Sequence, residues 1–195
     1  MKLVSLKTLI NTAIVSVSLA TTALLHAASL TPLDGKYAID SAHSSIHFKV
    51  DHMGFTKVIG RFNEFEGAVE ISEKESTLVL RIHTASVDSN HEKRDEHLRS
   101  PDFFNAKQFP QITLNGPIDL SASSGVKAEL TLLGVRKPIT LMLEKGKEGK
   151  DPWGLYRVGY SARTTIKRSD FGMDFMLGGI GDEVEIVAFI EAVKQ

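Results

Sequence analysis

The sequence has no cysteine, a single tryptophan and only 6 prolines among its 195 residues. The lack of cysteine excludes disulfide scaffolds, zinc fingers, iron–sulfur clusters, thiol catalysis and a lipid anchor on an N-terminal cysteine. The chain also lacks an excess of positive charge, with 23 Lys and Arg against 24 Asp and Glu, which argues against a nucleic-acid partner. What is present, including 42% hydrophobic residues, is the composition of an ordinary globular chain of one domain.

The N-terminal segment differs from the rest of the chain. Two lysines precede a charge-free stretch at 9–25, which ends in small residues. This order is typical of a secretory signal peptide. We therefore predict a signal peptide over residues 1–28, cleaved after Ala27 or Ala28, and a single domain over residues 29–195 with no membrane-spanning segment. The alternative is an uncleaved anchor, since about 17 apolar residues reach the lower limit for crossing a bilayer.

The rest of the chain alternates apolar and polar residues with a period of two, which is typical of half-buried β-strands. In residues 44–51, for example, every second side chain is apolar. Glycines between such segments, including Gly60, Gly67, Gly146 and Gly149, are interpreted as breaks. The other candidate strands are 61–65, 68–71, 78–83, 112–114, 127–132, 139–144, 156–166 and 183–191.

One segment interrupts the alternation. Residues 90–99 are rich in helix formers, with Ser89 or Asn90 as the N-cap and Ser100-Pro101 as the stop. Antiparallel strands with one helical insertion predict either a closed barrel or a sandwich, and the long last strands favour the barrel because closure removes exposed edges. The pattern leaves open whether the interior is filled by side chains or holds one small ligand.

Six ordered motifs, spread over about residues 34–193, resemble those of the YceI-like proteins. The most specific is residues 86–103, with the sequence SVDSNHEKRDEHLRSPDF. Residues 174–179 lie in a region that varies within that family, so the resemblance assigns them no role. The remaining motifs are 40–48 (followed by His52, Gly60, Phe62 and Phe65), 109–113, 130–141, 151–154 and 167–172.

The resemblance implies an all-β fold, an eight-stranded antiparallel lipocalin-like barrel with a short helical insertion at about residues 90–105. It also implies a periplasmic binding protein whose barrel encloses an elongated apolar tunnel. The ligand would be a polyisoprenoid, an isoprenoid quinone or another long-chain amphiphilic lipid, held for transport, storage or sequestration. No cofactor and no catalytic residue are implied, whereas transient contact with a membrane is expected and a homodimer is compatible with the sequence.

The implied tunnel gives a set of candidate site residues. Phe103 and Phe104 either cap the tunnel or belong to a separate small core. Among the polar candidates, Arg94, Asp95 and His97 have an alternative role, which is to tie the helix to the barrel rim. The apolar residues predicted to line the tunnel are Ile46, Phe48, Val50, Phe62, Leu80, Ile82, Phe103, Phe104, Ile112, Leu114, Leu132, Leu141, Val158 and Ile186. The candidates for contact with a lipid head group at the rim are Arg94, Asp95, His97 and Arg168.

Other chemistries have weaker support in the sequence. His43 and His47 would lie about 13 Å apart along a strand, too far to share one metal ion, so no metal site is predicted. No Gly-x-Ser-x-Gly elbow or glycine-rich phosphate loop is present, so we do not predict an enzyme. The alternatives that stay open are a secreted hydrolase, a metal-binding barrel and a ligand-free structural or stress-response barrel.

Overall fold

The computed structural model describes residues 33–73, 75–118 and 125–195. The predicted signal peptide at 1–28 lies outside the described residues, so the proposed domain bounds stay predictions. The described chain contains one α-helix, α1 (Glu92–Arg99), and two 3-10 turns, Thr84–Ser86 and Arg168–Phe171. The strands are β1 (Gly35–Ile39), β2 (Ser45–His52), β3 (Thr56–Phe62), β4 (Phe65–Ile71), β5 (Ser76–His83), β6 (Val87–Asp88), β7 (Gln111–Ile118), β8 (Val126–Leu132), β9 (Val135–Lys150), β10 (Tyr156–Lys167) and β11 (Ile180–Lys194).

These strands form one closed antiparallel barrel. The order around the ring is β1, β4, β5, β7, β8, β9, β10 and β11, and β11 pairs again with β1. A second strand continues each of β1, β4 and β5 along the barrel: β2 pairs with β11, β3 with β2, and the two-residue β6 with β3. One edge of β11 pairs with β2 at Ile180↔His52 and with β1 at Lys194↔Tyr37, while its other edge pairs with β10. The prediction of an all-β, eight-stranded antiparallel barrel with one helical insertion is confirmed.

The two ends of the barrel are packed differently. At the far end, where β11 finishes against β1, Tyr37, Ile71, Val158 and Ala192 form a compact buried cluster. Burial raises the pKa of Tyr37 to about 12, and its hydroxyl donates a hydrogen bond to the Leu33 carbonyl at 2.8 Å. The opposite end, called here the helix end, carries α1, the β2–β3 turn and the start of β11, and its larger apolar cluster surrounds open space.

Several glycines interpreted as breaks lie inside strands, so that part of the prediction is wrong. Gly60 lies in β3 and Gly67 in β4, and the 16-residue β9 runs through Gly146 and Gly149. At Gly60 the Phe48 ring occupies the space that a Cβ would need, and a Cβ on Gly67 would lie 2.5 Å from a backbone carbonyl oxygen. These two glycines permit close approach of the chain rather than ending a strand.

The N-cap of α1 is also different from the prediction. The cap is His91, whose Nδ1 accepts a hydrogen bond from the Arg94 backbone N–H at 3.3 Å. Ser89 does not cap the helix because its backbone N–H and hydroxyl both donate to the Asp95 carboxylate. Ser100 ends the helix as predicted.

A cluster of charges around Arg157 ties together the segments that close the far half of the barrel. Its Nη1 donates to Asp40, directly after β1, at 2.7 Å and to Glu191 on β11, while its Nε donates to Asp151 in the β9–β10 turn at 2.7 Å. These hydrogen bonds lower the pKa of Asp40 to about 2, helped by a hydrogen bond with His43. They also lower the pKa of Asp151.

This cluster makes a testable contribution to acid stability. The pKa of Asp40 is lower in the folded state than the value of about 3.9 of an unfolded chain, so its stabilisation is complete above about pH 4 and is lost as the pH falls through about 2. We expect Asp40→Asn to lower the free energy of unfolding by about 1 kcal/mol at pH 7, because the site is partly exposed, and by nearly nothing at pH 2. Urea unfolding across this pH range measures the difference.

An exposed carboxylate on α1 provides the control. Glu96→Gln should change the free energy of unfolding by less than about 0.5 kcal/mol at any pH in this range. A loss for Asp40→Asn that did not shrink on acidification would contradict the assignment.

Candidate functional site

An apolar cavity of about 340 Å³ occupies the helix end of the barrel. Its walls come from β2, β3, β5, β7, β8, β9, β10 and β11, and each strand contributes apolar side chains of its inward face. Of the apolar residues predicted to line a tunnel, all except Val158 lie on this wall. The cavity-lining members of that set are Ile46, Phe48, Val50, Phe62, Leu80, Ile82, Phe103, Phe104, Ile112, Leu114, Leu132, Leu141 and Ile186.

Val158 lies elsewhere. It pairs with Ala192 on β11 and is buried against Tyr37 in the far-end cluster. Alternation along β10 places this side chain on the inward face, but alternation carries no information on depth along the barrel axis. The far end is filled there, so Val158 belongs to packed core rather than to the cavity.

An aromatic layer covers the cavity beneath α1, formed by His97, Phe103, Phe104 and Phe175. The Phe104 ring lies 5.4 Å from that of Phe62, and the Phe103 ring lies 5.4 Å from that of Phe175, both edge to face. The structure thus places Phe103 and Phe104 on the cavity wall, within the larger apolar cluster rather than in a separate core. On the outer side of the layer, Nε2 of His97 lies 2.8 Å from the Asp102 carboxylate.

Two of the head-group candidates hold the start of the helix. The Asp95 carboxylate is buried and accepts from the backbone N–H of Ser89 at 2.8 Å as well as from its hydroxyl. Nε of Arg94 donates to the same hydroxyl at 2.7 Å, and Nη2 donates to the Ser89 carbonyl. Arg94 and His97 border the cavity, whereas Asp95 does not. The contacts of Arg94 and Asp95 with Ser89, which directly follows β6, match the alternative role of tying the helix to the barrel.

Arg168 is only 2% exposed and is bound to backbone. Its guanidinium donates to the carbonyls of Met173, Phe175, Ile180 and Gly181, each at 2.9 Å. Burial lowers the pKa of Arg168 from its ordinary value. The hydrogen bonds hold the segment between β10 and β11 in place, and that segment brings Met173 and Phe175 to the cavity wall.

Two turns beside the cavity carry exposed apolar residues that no motif or strand period singles out. Met53, Phe55, Met176 and Leu177 lie in two neighbouring turns and are exposed by 52%, 86%, 47% and 42%. We call them the mouth residues. The backbone N–H of Met53 donates to the Gly179 carbonyl at 2.8 Å, which joins the two turns, and Met53 and Met176 also line the cavity. Strand periodicity does not extend into turns, so only the apolar content of these turns could have pointed to them.

Within the described residues, one group of three could bring donor atoms close enough for a metal ion: Asp40, His43 and Glu191, whose atoms lie within 4.8 Å of one another. Arg157 already donates to both carboxylates. A cation there would face the guanidinium charge, so this group is part of the structural cluster described above.

A closed eight-stranded antiparallel barrel with an apolar cavity under one short helix defines the molecule as a lipocalin-like barrel. Residues 37–192 match the model of the YceI-like domain, and the chain belongs to the YceI-like family. The resemblance read from the sequence is therefore confirmed.

Relatives and solved structures extend this result. The chain is 39% identical over 184 residues to a UPF0312 protein of Shewanella baltica, covering 89% of this chain and 96% of that protein. Its structure is similar to the crystal structure of Burkholderia cenocepacia BcnA, with TM-score 0.68, 21% identity, and coverage of 78% of this chain and 98% of BcnA. It is also similar to a polyisoprenoid-binding domain from Saccharophagus degradans, with TM-score 0.67, 19% identity, and coverage of 82% and 98%. At these identities the two structural matches show the fold.

The role of Arg168 can be tested by stability. Arg168→Met removes the donor and leaves buried carbonyl groups unpaired, so we expect the free energy of unfolding to fall by about 3 kcal/mol or more. The control is Arg136→Met, which removes an exposed ion pair with Glu129 and should cost less than about 1 kcal/mol. Urea denaturation followed by circular dichroism measures both. Similar losses in the two variants would show that Arg168 is not a structural anchor.

Proposed function

We propose that this protein is a periplasmic binding protein that holds the chain of an elongated apolar lipid, a polyisoprenoid or an isoprenoid quinone, in the barrel cavity. Its role would be transport, storage or sequestration of that lipid, without a catalytic step. Membership of the YceI-like family supports the proposal. So does the fold it shares with a domain described as polyisoprenoid-binding.

The observation that carries the proposal is the contrast between the two barrel ends. The far end is filled by packed side chains, whereas the helix end keeps an open volume with aliphatic and aromatic walls. A prenyl chain offers no hydrogen bonds, so such a wall can recognise it only through shape and apolar contact. The volume lies near the lower end of the range for ligand pockets, about 300–1,000 Å³. The cavity therefore suits a short chain or one part of a long chain.

The energetics favour exchange over irreversible capture. Transfer from water gains about 0.8 kcal/mol per buried CH₂ group, so a long tail would exceed the practical limit of noncovalent affinity near 18–21 kcal/mol. A lipid reaches the protein from a membrane, however, and a bilayer is about as apolar as the cavity. The net transfer free energy is then small, and the lipid can move in both directions.

Export and membrane contact are part of the proposal. Export rests on the N-terminal sequence pattern, and no helix among the described residues is long and apolar enough to cross a bilayer. The mouth residues are four exposed apolar side chains in two joined turns, and two of them, Met53 and Met176, line the cavity. We propose that they dip into the membrane surface so that a lipid passes into the cavity without crossing water.

The central test is lipid loading. Protein purified under native conditions should yield a prenyl lipid on organic extraction and mass spectrometry. Ile112→Trp places an indole in the cavity. One overpacked position costs about 1–3 kcal/mol, so we expect the extracted lipid to fall roughly tenfold. A cost of that size should leave the protein folded.

The neighbouring residue on the same strand gives a matched control. Gln111 is exposed, so Gln111→Trp should leave the lipid content unchanged. Absence of any extractable lipid from the native protein, or equal loading of the two Trp variants, would contradict binding in the cavity.

Membrane contact is tested separately with the mouth residues. The double variant Phe55→Asp, Met176→Asp should lower the affinity for phosphatidylethanolamine–phosphatidylglycerol vesicles, measured by co-sedimentation, by at least about a hundredfold, because each buried apolar side chain contributes about 1.5–3 kcal/mol. The same variant should slow lipid transfer from vesicles.

Trp153 serves as the control for this experiment. It is 82% exposed but lies in the β9–β10 turn, away from the cavity mouth. Trp153→Asp should leave vesicle binding unchanged. If this variant lost vesicle binding and the double variant of the mouth residues kept it, the opposite end of the barrel would be the one that meets the membrane.

A further inference from the structure

The wall of the barrel is incomplete between β9 and β10. Their ladder runs from Lys150↔Tyr156 to Met142↔Arg163 and stops there. β9 nevertheless begins at Val135 and pairs with β8 through this whole segment, and β10 continues to Lys167 paired with β11. Two strand edges therefore diverge at the helix end of the barrel.

A groove of about 710 Å³ lies between these diverging edges, lined on one side by residues 137–140 and 142 and on the other by residues 163–167. We call it the side groove. Pro138 lies on its β9 edge, and sheets accept proline almost only at edges and bulges. Alternate residues of each edge direct backbone N–H or C=O groups toward the groove instead of toward a neighbouring strand.

The side groove adjoins the cavity. Ile139, Arg163, Thr164 and Ile166 line both spaces. The inward-facing members of this set are apolar or carry one hydroxyl, while Arg163 projects to the outside, where it is exposed. A molecule reaching from the cavity into the groove would thus pass from an apolar to a polar environment over the thickness of one sheet.

The charge at the outer rim of the groove is positive. Its lining contains three cations, Lys137, Arg163 and Lys167, and two carboxylates, Asp170 and Glu185. Glu185 is bound to Lys49, outside the groove, at 2.6 Å, and Asp170 lies 3.8 Å from Lys137. Arg163 also interacts electrostatically with Glu185, and Lys167 interacts with Asp182 and lies opposite Glu183 on β11. Because Lys49 and Lys137 share the two carboxylates of the groove and Arg163 and Lys167 are both exposed, these two are the cations best placed for an anionic group.

We propose that the side groove is a port through which the head of a bound amphiphile leaves the cavity, and that Arg163 and Lys167 bind an anionic head group there, a phosphate in the first instance. This inference rests on the proposed function, since it requires an apolar chain in the cavity. It also accounts for the modest cavity volume, because the polar part of the ligand lies outside. The head-group candidates named from the sequence are engaged with other parts of the protein, and the groove cations replace them in this role.

Matched probes test the port. Farnesyl phosphate and farnesol share one chain and differ in the charge of the head, and their affinities can be measured by calorimetry. The wild-type protein should bind farnesyl phosphate roughly tenfold more tightly than farnesol, since charge-assisted hydrogen bonds contribute at this scale. That advantage should shrink at high ionic strength, because exposed charges are screened.

The decisive variant is Arg163→Gln, Lys167→Gln. Its affinity for farnesyl phosphate should fall to that for farnesol, while its affinity for farnesol stays unchanged. The control is Lys127→Gln, Lys147→Gln, which removes the same charge from exposed positions on β8 and β9 and should behave as wild type. Inorganic phosphate at the same concentration should not displace farnesyl phosphate.

The outcomes separate the two proposals. Unchanged binding of farnesyl phosphate by the groove variant would overturn the port and leave lipid binding intact. Displacement of farnesyl phosphate by inorganic phosphate at the same concentration would overturn the port as well, because the site would then recognise a free anion. Failure of the wild-type protein to bind either probe would instead overturn the proposed function.

Discussion

The structure depends on closure of the sheet by β11. This strand is long enough to pair with β2 at its start and with β1 at its end, while its other edge pairs with β10 from Glu183 to Val193. Closure removes most exposed sheet edges, the diverging segments of β9 and β10 excepted, and such edges would otherwise invite aggregation in a protein that lacks disulfides. It also fixes an enclosed interior of given width. Whether that interior is filled or open is then a matter of which side chains point inward at each depth.

The two halves of the interior are filled differently. Tyr37 is fully buried at the far end, whose side chains leave no comparable space among the described residues, whereas the helix end has walls of branched aliphatic side chains and an aromatic layer above them. An open apolar cavity gives up dispersion contacts that a packed core would have. The hydrogen bonds of Arg168 hold the segment between β10 and β11 beside that open space without filling it, while the charged cluster around Arg157 secures the far half of the barrel. A ligand of matching shape would restore the lost contacts, and this is the physical basis of the proposed binding.

Buried charge in this barrel serves structure, and exposed charge is what is available to a ligand. Asp95 lies in the most specific sequence motif and Arg168 in another of the motifs, yet both are satisfied by partners within the protein. Arg163 belongs to no sequence motif and lies on the outward face of β10. It borders the side groove because the β9–β10 ladder stops beside it. A motif therefore identified residues that shape the mouth of the cavity, whereas the polar surface next to the cavity arises from a local divergence of two strands.

The sequence by itself determined the fold class, most strand positions and the face on which each side chain lies, because a period of two is a local property of an extended chain. It also determined the family. Only the tertiary structure decided that Val158 packs at the far end while Ile112 lines the cavity, that Gly60 accommodates an aromatic ring within a strand, and that Arg168 binds carbonyl groups. Depth along the barrel, close approach and hydrogen-bond partners depend on residues distant in sequence. The divergence of β9 from β10 likewise follows from how the ring closes, which no single strand encodes.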